Sequence, residues 1–303
     1  GMVPLATGSD AGGSIRCPAH YCGLVGLKPS HGRIARDDGA SDRGTLGALT
    51  ATVADTARYL DVVSGPHPLD RMSLPAPTIR YESAIESLEV AGLRAAWSVD
   101  LGYAPVESEV AALTEAAARR LVTAARLELV PRRVELVNTY MSSNLMMTAV
   151  FARELELQGI LPDRIDEISP GPRFFLDRMR RATARDHLLA ERRERQLEAQ
   201  LAELFADIDV LLTPTSGCVA FAAEGPLPEV IAGRDASETH GDPFTMAANI
   251  GWMPSISLPA GITSEGLPVG LLITGPRHRD EVVLRLAHIL ERESPWPLHP
   301  SGW

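Results

Sequence analysis

The sequence contains few residues of several kinds, and each shortage excludes a class of protein. Lys28 is the single lysine among 29 basic residues, so a mechanism that needs a lysine has one candidate in the chain. No run of 18 or more apolar residues occurs, which excludes a membrane-spanning helix. The three cysteines (Cys17, Cys22 and Cys218) cannot all pair and no signal-peptide pattern is visible, so we expect a cytoplasmic location.

The amino-acid composition is typical of an ordinary globular protein. Of the 303 residues, 45% are hydrophobic and 22% are charged, which predicts a folded chain with a sizeable core. The formal net charge of -10 leaves no broad basic face for phosphate backbones, so we expect no nucleic-acid partner. Arginines cluster between Arg178 and Arg195 among acidic residues, which is typical of a solvated, ion-paired face.

Apolar spacing predicts helices that alternate with strands. Helices are predicted over residues 52–64, 108–129, 173–206 and 280–293, and strands over 93–98, 134–137, 210–213, 255–258 and 267–274. The first fifty residues are rich in glycine, which favours loops and short elements. No linker or repeat divides the chain, so we interpret residues 1–303 as one α/β domain, a mixed twisted sheet flanked by helices.

The segment most relevant to chemistry spans residues 8–16. The Gly12-Gly13 pair allows a sharp turn that exposes consecutive backbone N–H groups, a geometry that suits a developing oxyanion. Ser14 follows this turn and is placed to attack a carbonyl carbon. An isolated Gly-Gly-Ser is more often a simple turn. The sequence has neither the G-K-[ST] of a phosphate loop nor the G-x-S-x-G of an α/β-hydrolase.

This segment does not stand alone, because the sequence resembles the amidase signature family along most of its length. That family consists of hydrolases that cleave amides with a serine nucleophile. The matching segments occur in family order at residues 8–16, 28–33, 47–55, 209–215, 254–261 and 266–271. The resemblance implies the family's mixed sheet and a small-molecule amide substrate, with no cofactor, metal, nucleic acid or membrane involved. It is also compatible with a homo-oligomer.

The resemblance assigns roles to residues of the Gly-rich segment. Ser14 matches the acylated nucleophile. Ala11, Gly12 and Gly13 match the backbone N–H donors of the oxyanion hole, which Ser14 completes. Asp10 and Arg16 also lie inside the signature. Their position implies that they organise the loop rather than transfer protons.

The family's proton-transfer groups are a lysine and a second serine in a cis peptide, and both precede the nucleophile segment. The resemblance places them upstream of residue 1, so we expect a chain that is shortened at its N-terminus relative to the family. Lys28 matches a structural lysine of the K-P-S motif and is not expected to replace the missing base. A serine without an adjacent base is a weak nucleophile. We therefore expect this chain to be inactive or nearly so.

Three functions are compatible with these residues. The first is an amidase that uses Ser14. The second is the ammonia-releasing A subunit of an amidotransferase, a branch with an S-N-L-A-R-Y-D-G motif. Ser143-Asn144-Leu145 matches its start, but the Arg and Asp that follow are absent, whereas Asp242 resembles a position that binds the substrate amine. The third is a non-catalytic remnant, which the missing lysine and serine favour.

Other candidate sites are weaker. Cys17 and Cys22 lack a second nearby pair, so a zinc site is not expected. Arg173 with Phe174-Phe175 is interpreted as core packing rather than as the wall of a substrate channel. No H-E-x-x-H occurs, and the scattered histidines are interpreted as surface or singly hydrogen-bonded residues. They are His20, His31, His67, His187, His240, His278, His288 and His299.

Overall fold

A computed structural model describes residues 3–36 and 43–297. The strands in these ranges are β1 (Leu5–Asp10), β2 (Val25–Lys28), β3 (Thr45–Thr50), β4 (Arg94–Trp97), β5 (Glu128–Leu129), β6 (Val210–Pro214), β7 (Val230–Ile231), β8 (Arg234–Asp235), β9 (Ser255–Ile262) and β10 (Pro268–Thr274). The α-helices are α1 (Arg16–Cys22), α2 (Val53–Val63), α3 (Tyr81–Ser87), α4 (Ser108–Ala124), α5 (Tyr140–Leu157), α6 (Pro170–Arg181), α7 (Ala184–Asp207), α8 (Met246–Ile250) and α9 (Asp280–Glu293).

Eight of these strands form one mixed sheet in the order β1-β3-β2-β9-β10-β6-β4-β5. Neighbours from β1 to β6 are antiparallel, whereas β4 pairs in parallel with β6 and with β5. Strands β7 and β8 form a separate pair. The predicted mixed α/β class is therefore confirmed. In the described part of the chain, no helix has both the length and the apolar character that crossing a membrane requires.

The sheet separates two apolar layers because successive side chains of a strand point to opposite faces. Leu271 and Ile273 of β10 pack into the layer that α2, α3, α4 and α9 cover. Leu272, between them, joins the layer covered by α7 and α8. Strand β6, which is buried along its whole length, alternates in the same way. Burial on both faces explains why its sequence is a continuous apolar run.

Helix α1 lies directly on the sheet over β2, β9 and β10. Its close approach depends on Gly26, since a methyl group added at this position would lie only 2.5 Å from the Ala19 Cβ atom. The helix ends at Gly23, which adopts the left-handed conformation that favours glycine and donates its N–H to the Ala19 carbonyl oxygen. The sequence thus places a short helix firmly on the sheet immediately after the Gly-rich segment.

Helices α2 and α9 match their predictions closely, and the Thr52 hydroxyl caps α2 by accepting a hydrogen bond from the Asp55 N–H. Helix α4 ends at Ala124, five residues before the predicted end. The first fifty residues form three short strands and one short helix in the described ranges, as predicted.

Two predictions of secondary structure were wrong. Residues 134–137 do not form a strand; Val134 and Leu136 are buried in an extended connection, which produces the same apolar alternation without a β-ladder. The helix predicted over 173–206 is broken into α6 and α7. Thr183 caps α7 in a capping box with Asp186. This cap starts a new helix at a point where the apolar spacing suggested one uninterrupted helix. Helix α5 was not predicted.

Candidate active site

The Gly-rich loop connects the end of β1 to the start of α1 at the edge of the sheet. Asp10 is the last residue of β1 and pairs with Thr45 of β3, while Arg16 is the first residue of α1. Ser14 lies in the turn between them and is exposed. Among the residues that the structure describes, none makes a hydrogen bond with the Ser14 hydroxyl. The loop therefore presents a serine at a strand-to-helix turn.

Asp10 is fully buried and holds the loop from inside. Its carboxylate accepts hydrogen bonds from the backbone N–H groups of Gly13 at 2.8 Å and Ile15 at 3.2 Å. Burial by itself would raise the pKa of Asp10, but the charge and hydrogen bonds of Arg16 outweigh burial and lower the pKa to about 2. Asp10 is therefore an anion at neutral pH, and its charge is neutralised inside the protein.

Arg16 is also fully buried and connects the loop to α8. Its Nε and Nη2 atoms donate to the Asp10 carboxylate at 2.9 and 2.8 Å. Nη1 donates to the Thr245 carbonyl oxygen at 2.8 Å and Nη2 to the Asn249 Oδ1 atom at 2.5 Å. The Asn249 amide then donates back to the Asp10 backbone carbonyl oxygen at 3.0 Å. Loop, helix α1 and helix α8 thus share one buried polar network.

The backbone N–H groups of the loop divide into two kinds. The Gly13 N–H is already donated to Asp10. The N–H groups of Ala11, Gly12 and Ser14 have no acceptor within the described part of the chain. Of the N–H groups predicted to stabilise an oxyanion, the Gly13 group is therefore the one already used in a hydrogen bond with another described residue.

The shape of the loop depends on Gly13. Its φ of 141° lies in the range that favours glycine, and a methyl group there would be 2.5 Å from the Thr245 Oγ1 atom and 2.7 Å from the Cys17 Sγ atom. The Thr245 hydroxyl also donates to the Gly12 carbonyl oxygen at 2.5 Å. These contacts fix the turn that precedes Ser14.

Asp242 lies beside this loop in the turn that precedes α8. Its Oδ1 atom accepts a hydrogen bond from the Tyr21 hydroxyl at 3.0 Å, and that hydroxyl is also 3.0 Å from the Ser216 Oγ atom. Burial raises the pKa of Asp242 to about 6, while hydrogen bonds from Cys17 and Tyr21 oppose the rise. Burial also raises the pKa of Tyr21, so its hydroxyl stays protonated and donates. The structure therefore brings Asp242 into contact with α1, next to the predicted site.

Lys28 is fully buried, and its Nζ atom donates to the Pro29 carbonyl oxygen at 2.9 Å rather than to Ser14. Burial lowers the pKa of Lys28 to about 7, and the nearby Arg16 charge acts in the same direction. His20 was predicted to be a surface or singly hydrogen-bonded residue and is neither. It is buried, with Nδ1 accepting from the Gly270 N–H at 2.8 Å and Nε2 3.0 Å from the Cys218 carbonyl oxygen. His299 lies outside the described residues.

No group of three or more histidine, cysteine or acidic side chains in the described ranges could hold a metal ion. One further prediction was wrong and another held in part. Phe174 is 52% exposed, so it is not core packing. The predicted arginine face is solvent-exposed as expected, and Arg195 pairs with Glu191 at 2.8 Å, but most of its neighbours make no ion pair with any described residue. The arginines without such a pair in the described ranges are Arg178, Arg180, Arg181, Arg185, Arg192 and Arg193.

The residues that hold the loop from the other end of the chain were not predicted from the sequence. Thr245 and Asn249 contact the loop, yet they lie more than 200 residues away in sequence. Their spacing of i and i+4 places them on one side of α8, and this pattern was the available signal. Tyr21 stands at the same spacing from Cys17 on α1 and was not singled out either.

The fold and the loop together define an α/β protein with an exposed serine at a glycine-rich strand-to-helix turn. The chain belongs to the Amidase family, whose model matches residues 1–284. The sequence resemblance to amidase signature enzymes is thereby confirmed.

Curated relatives include enzymes of two kinds. The chain is 33% identical over 308 residues to an acylamidase of Rhodococcus erythropolis, an alignment that covers 98% of this chain and 62% of the relative. It is 31% identical over 324 residues to the A subunit of the glutamyl-tRNA(Gln) amidotransferase of Rhodospirillum rubrum, an alignment that covers 99% of this chain and 64% of the relative.

Solved structures show the same fold. A bacterial aryl acylamidase of the amidase signature family superposes with a TM-score of 0.86 at 26% identity, covering 98% of this chain and 63% of that one. A 6-aminohexanoate cyclic dimer hydrolase complexed with substrate gives a TM-score of 0.80 at 26% identity, covering 97% of this chain and 65% of that one. The chain thus spans less than two thirds of the length of these relatives.

Proposed function

We propose that this protein is an amide-bond hydrolase of the amidase signature type in which Ser14 is acylated. The free hydrogen-bonding capacity of the N–H groups in the loop supports this most directly. The buried Asp10–Arg16 pair fixes the turn, while the N–H groups of Ala11 and Gly12 stay unengaged by the described residues, next to an exposed serine. Backbone donors held in place before the reaction are what an oxyanion requires. Asp10 and Arg16 act as positioning residues.

In the proposed reaction the Ser14 Oγ atom forms a bond to the amide carbonyl carbon. The carbonyl oxygen becomes negatively charged and accepts hydrogen bonds from the loop N–H groups. The C–N bond then breaks, and the amine leaves with a proton. Water hydrolyses the resulting ester, which releases a carboxylic acid and restores Ser14.

The Ser14 proton needs a base, and the described residues place none in hydrogen-bond contact with its hydroxyl. Lys28 is directed to Pro29 instead. We propose that this step requires the family's lysine and relay serine, for which the described residues offer no match. General-base assistance contributes about 10²–10⁴ in rate, so the 303-residue chain alone should turn over little amide.

Covalent labelling tests the nucleophile without needing full turnover. We expect a fluorophosphonate to label the protein on Ser14 and the Ser14→Ala variant to lose the label. Ser9→Ala is the matched control, since Ser9 is an exposed serine of β1, only five residues away. Mass spectrometry of the labelled peptide identifies the modified residue. A label that remains in Ser14→Ala would show that the nucleophile is another residue.

A second candidate function is the release of ammonia from glutamine, as expected of an amidotransferase branch of the family. Asp242 supports it, because its carboxylate lies beside α1 and could bind the amine of a substrate. The absent Arg and Asp after Ser143-Asn144-Leu145 argue against it. Assays of an acylanilide and of glutamine, with an upstream-extended chain, separate the two. If the extended chain hydrolyses glutamine and Asp242→Asn lowers only that activity, the second candidate is correct; hydrolysis of the acylanilide alone contradicts it.

We also propose a reducing, cytoplasmic location. Cys17, Cys22 and Cys218 are all free thiols. Cys22 is exposed at the end of α1, where an oxidising compartment would favour its modification. Localisation of a tagged protein by cell fractionation tests this assignment.

A further inference from the structure

A groove lies among α5, α6 and α7, away from the Gly-rich loop. It has a cavity volume of about 840 Å³, which is within the range of small-molecule sites. We call it the arginine groove and define it by Arg178 and Arg181 of α6, Arg192 and Arg193 of α7, and the apolar side chains Phe174 and Leu189.

The four arginines of the groove have no counterion in the described part of the chain. Two other arginines of the same helices do have one, since Arg173 pairs with Asp166 and Arg195 with Glu191. Four guanidinium groups that converge on one cavity repel one another. An anion placed among them would relieve that repulsion and accept their hydrogen bonds.

Acidic groups at the groove offset these charges only in part. Asp186 lines it and accepts hydrogen bonds from the Thr183 backbone N–H at 2.8 Å and hydroxyl at 2.7 Å as the cap of α7. Asp177 and Glu238 also line the groove, and neither forms an ion pair with a residue that the structure describes. Four arginines against three acids leave an excess of one positive charge along the lining.

The groove also has an apolar part. Its floor contains Leu145 and Ala190, both buried, and its wall exposes Phe174 by 52% and Leu189 by 48%. A simple inorganic anion would leave these surfaces in water. A molecule with an apolar body and one anionic end would cover them and place its charge among the guanidinium groups.

Helix α5 separates the groove from Ser14. Leu145 lines the groove, whereas the Met147 methyl group would lie 3.9 Å from a methyl group added at Gly12. Two residues along an α-helix correspond to a rotation of about 200°, so these side chains leave α5 on opposite sides. The groove is therefore distinct from the proposed nucleophile loop.

We propose that the arginine groove binds a small organic carboxylate with an aromatic or aliphatic body. Its carboxylate pairs with Arg178 and Arg181 of α6, with the charges of Arg192 and Arg193 on the facing helix, and its apolar body lies against Phe174 and Leu189. Planar guanidinium groups suit this ligand because they bind a carboxylate through two parallel hydrogen bonds. The inference does not depend on the proposed amidase function, since no step of it involves Ser14.

Binding of 4-phenylbutyrate to the 303-residue chain tests the proposal by isothermal titration calorimetry at low salt. We expect saturable binding of one molecule per chain, and roughly tenfold weaker binding to the Arg178→Gln/Arg181→Gln variant, because each charge-assisted hydrogen bond is lost. Phe174→Ala should weaken 4-phenylbutyrate binding and leave acetate binding unchanged. Thermal melts check that each variant is folded.

The matched control is Arg180→Gln/Arg185→Gln. Both arginines are exposed and lack an ion pair within the described ranges, as the groove arginines do, but neither lines the cavity. We expect this double variant to bind 4-phenylbutyrate like the unmodified chain. Equal losses of affinity in both double variants would show that the effect comes from the net charge of the protein, which would overturn the proposal.

Two other probes separate the proposed ligand from rival ones. We expect 4-phenylbutanol, which lacks the charge, and inorganic phosphate, which lacks the apolar body, to bind at least about tenfold more weakly than 4-phenylbutyrate. Equal binding of the alcohol would indicate a purely apolar patch. Binding to anionic phospholipid vesicles without binding of 4-phenylbutyrate would indicate a membrane surface. Either result, or the absence of saturable binding, overturns the proposal.

Discussion

The Asp10 carboxylate and the Arg16 guanidinium form an ion pair with no exposure to solvent, joined by hydrogen bonds of 2.9 and 2.8 Å. The two residues stand on either side of Ser14, at the end of β1 and the start of α1. Their pairing closes the turn that presents the serine. Burial of two charges is costly, and the cost is offset only while both partners are present.

The first prediction follows from this dependence of each buried charge on its partner. Asp10→Asn keeps the shape of the side chain but leaves the Arg16 charge buried without its counterion. We expect the free energy of unfolding to fall by about 3–5 kcal/mol, measured by urea denaturation at pH 7. Glu115→Gln, which breaks the solvent-exposed pair with Arg119, is the control and should cost much less. Similar losses for the two variants would contradict the role of burial.

The second prediction concerns Gly13. Gly13→Ala would place a methyl group 2.5 Å from the Thr245 Oγ1 atom and would strain a φ of 141°. Gly92→Ala is the matched control, because Gly92 has a φ of 77° but open space around it. We expect Gly92→Ala to cost about 1–2 kcal/mol through backbone strain alone, and Gly13→Ala to cost more. Fluorophosphonate labelling should fall only in Gly13→Ala; equal labelling would show that the turn does not position Ser14.

The extent to which the site could be predicted depends on where its residues lie in the sequence. Asp10, Gly13, Ser14 and Arg16 are close together in the chain, so one short motif was enough to single them out. Thr245 and Asn249 complete the same network from more than 200 residues away; their i, i+4 spacing groups them with each other, but no local pattern links them to the loop. Only the packing of α1 and α8 on the same face of the sheet brings them together.

The secondary structure, too, was predicted only where a local sequence pattern matched it. Residues 210–213 and 280–293 were predicted well because their apolar spacing matches their burial. The break between α6 and α7 was missed because apolar periodicity continues across it, although the Thr183-x-x-Asp186 cap was visible. Residues 134–137 were predicted wrongly because an extended chain that packs on a core alternates as a strand does.

The third prediction concerns the pH dependence of stability. Burial lowers the pKa of His20 from 6.5 to about 4, while its hydrogen bond to the Cys218 carbonyl oxygen acts in the opposite direction. Above pH 6.5 the ring is neutral in both the folded and unfolded states. Between pH 6.5 and 4 the unfolded state binds a proton that the folded state excludes, so stability falls as the pH falls.

The size of this effect is about 3–4 kcal/mol at most, since one pKa unit corresponds to about 1.4 kcal/mol. We expect His20→Gln to flatten the urea-unfolding profile between pH 6.5 and 4, after correction for its lower stability at pH 7.5. His187→Gln serves as the control, because His187 makes no hydrogen bond through its ring within the described ranges. If the two variants retain the same pH dependence as the unmodified chain, acidic groups and not His20 control it.

The last prediction asks which base, if any, activates Ser14 within the 303 residues. Two buried groups near the loop have pKa values that suit a general base. Burial and the nearby Arg16 lower the pKa of Lys28 to about 7, and burial raises the pKa of Asp242 to about 6. The hydrogen bonds oppose both assignments, because Lys28 donates to Pro29 and Asp242 accepts from Tyr21.

The pH dependence of fluorophosphonate labelling distinguishes the cases. A general base stops accelerating the reaction once it is fully deprotonated, so Lys28 would give a plateau above about pH 7 and Asp242 one above about pH 6. We expect no plateau: hydroxide must remove the Ser14 proton, and the labelling rate should rise about tenfold per pH unit up to pH 9, after subtraction of reagent hydrolysis. Lys28→Met should leave the slope unchanged. A plateau near pH 7 that disappears in Lys28→Met would instead identify Lys28 as the base.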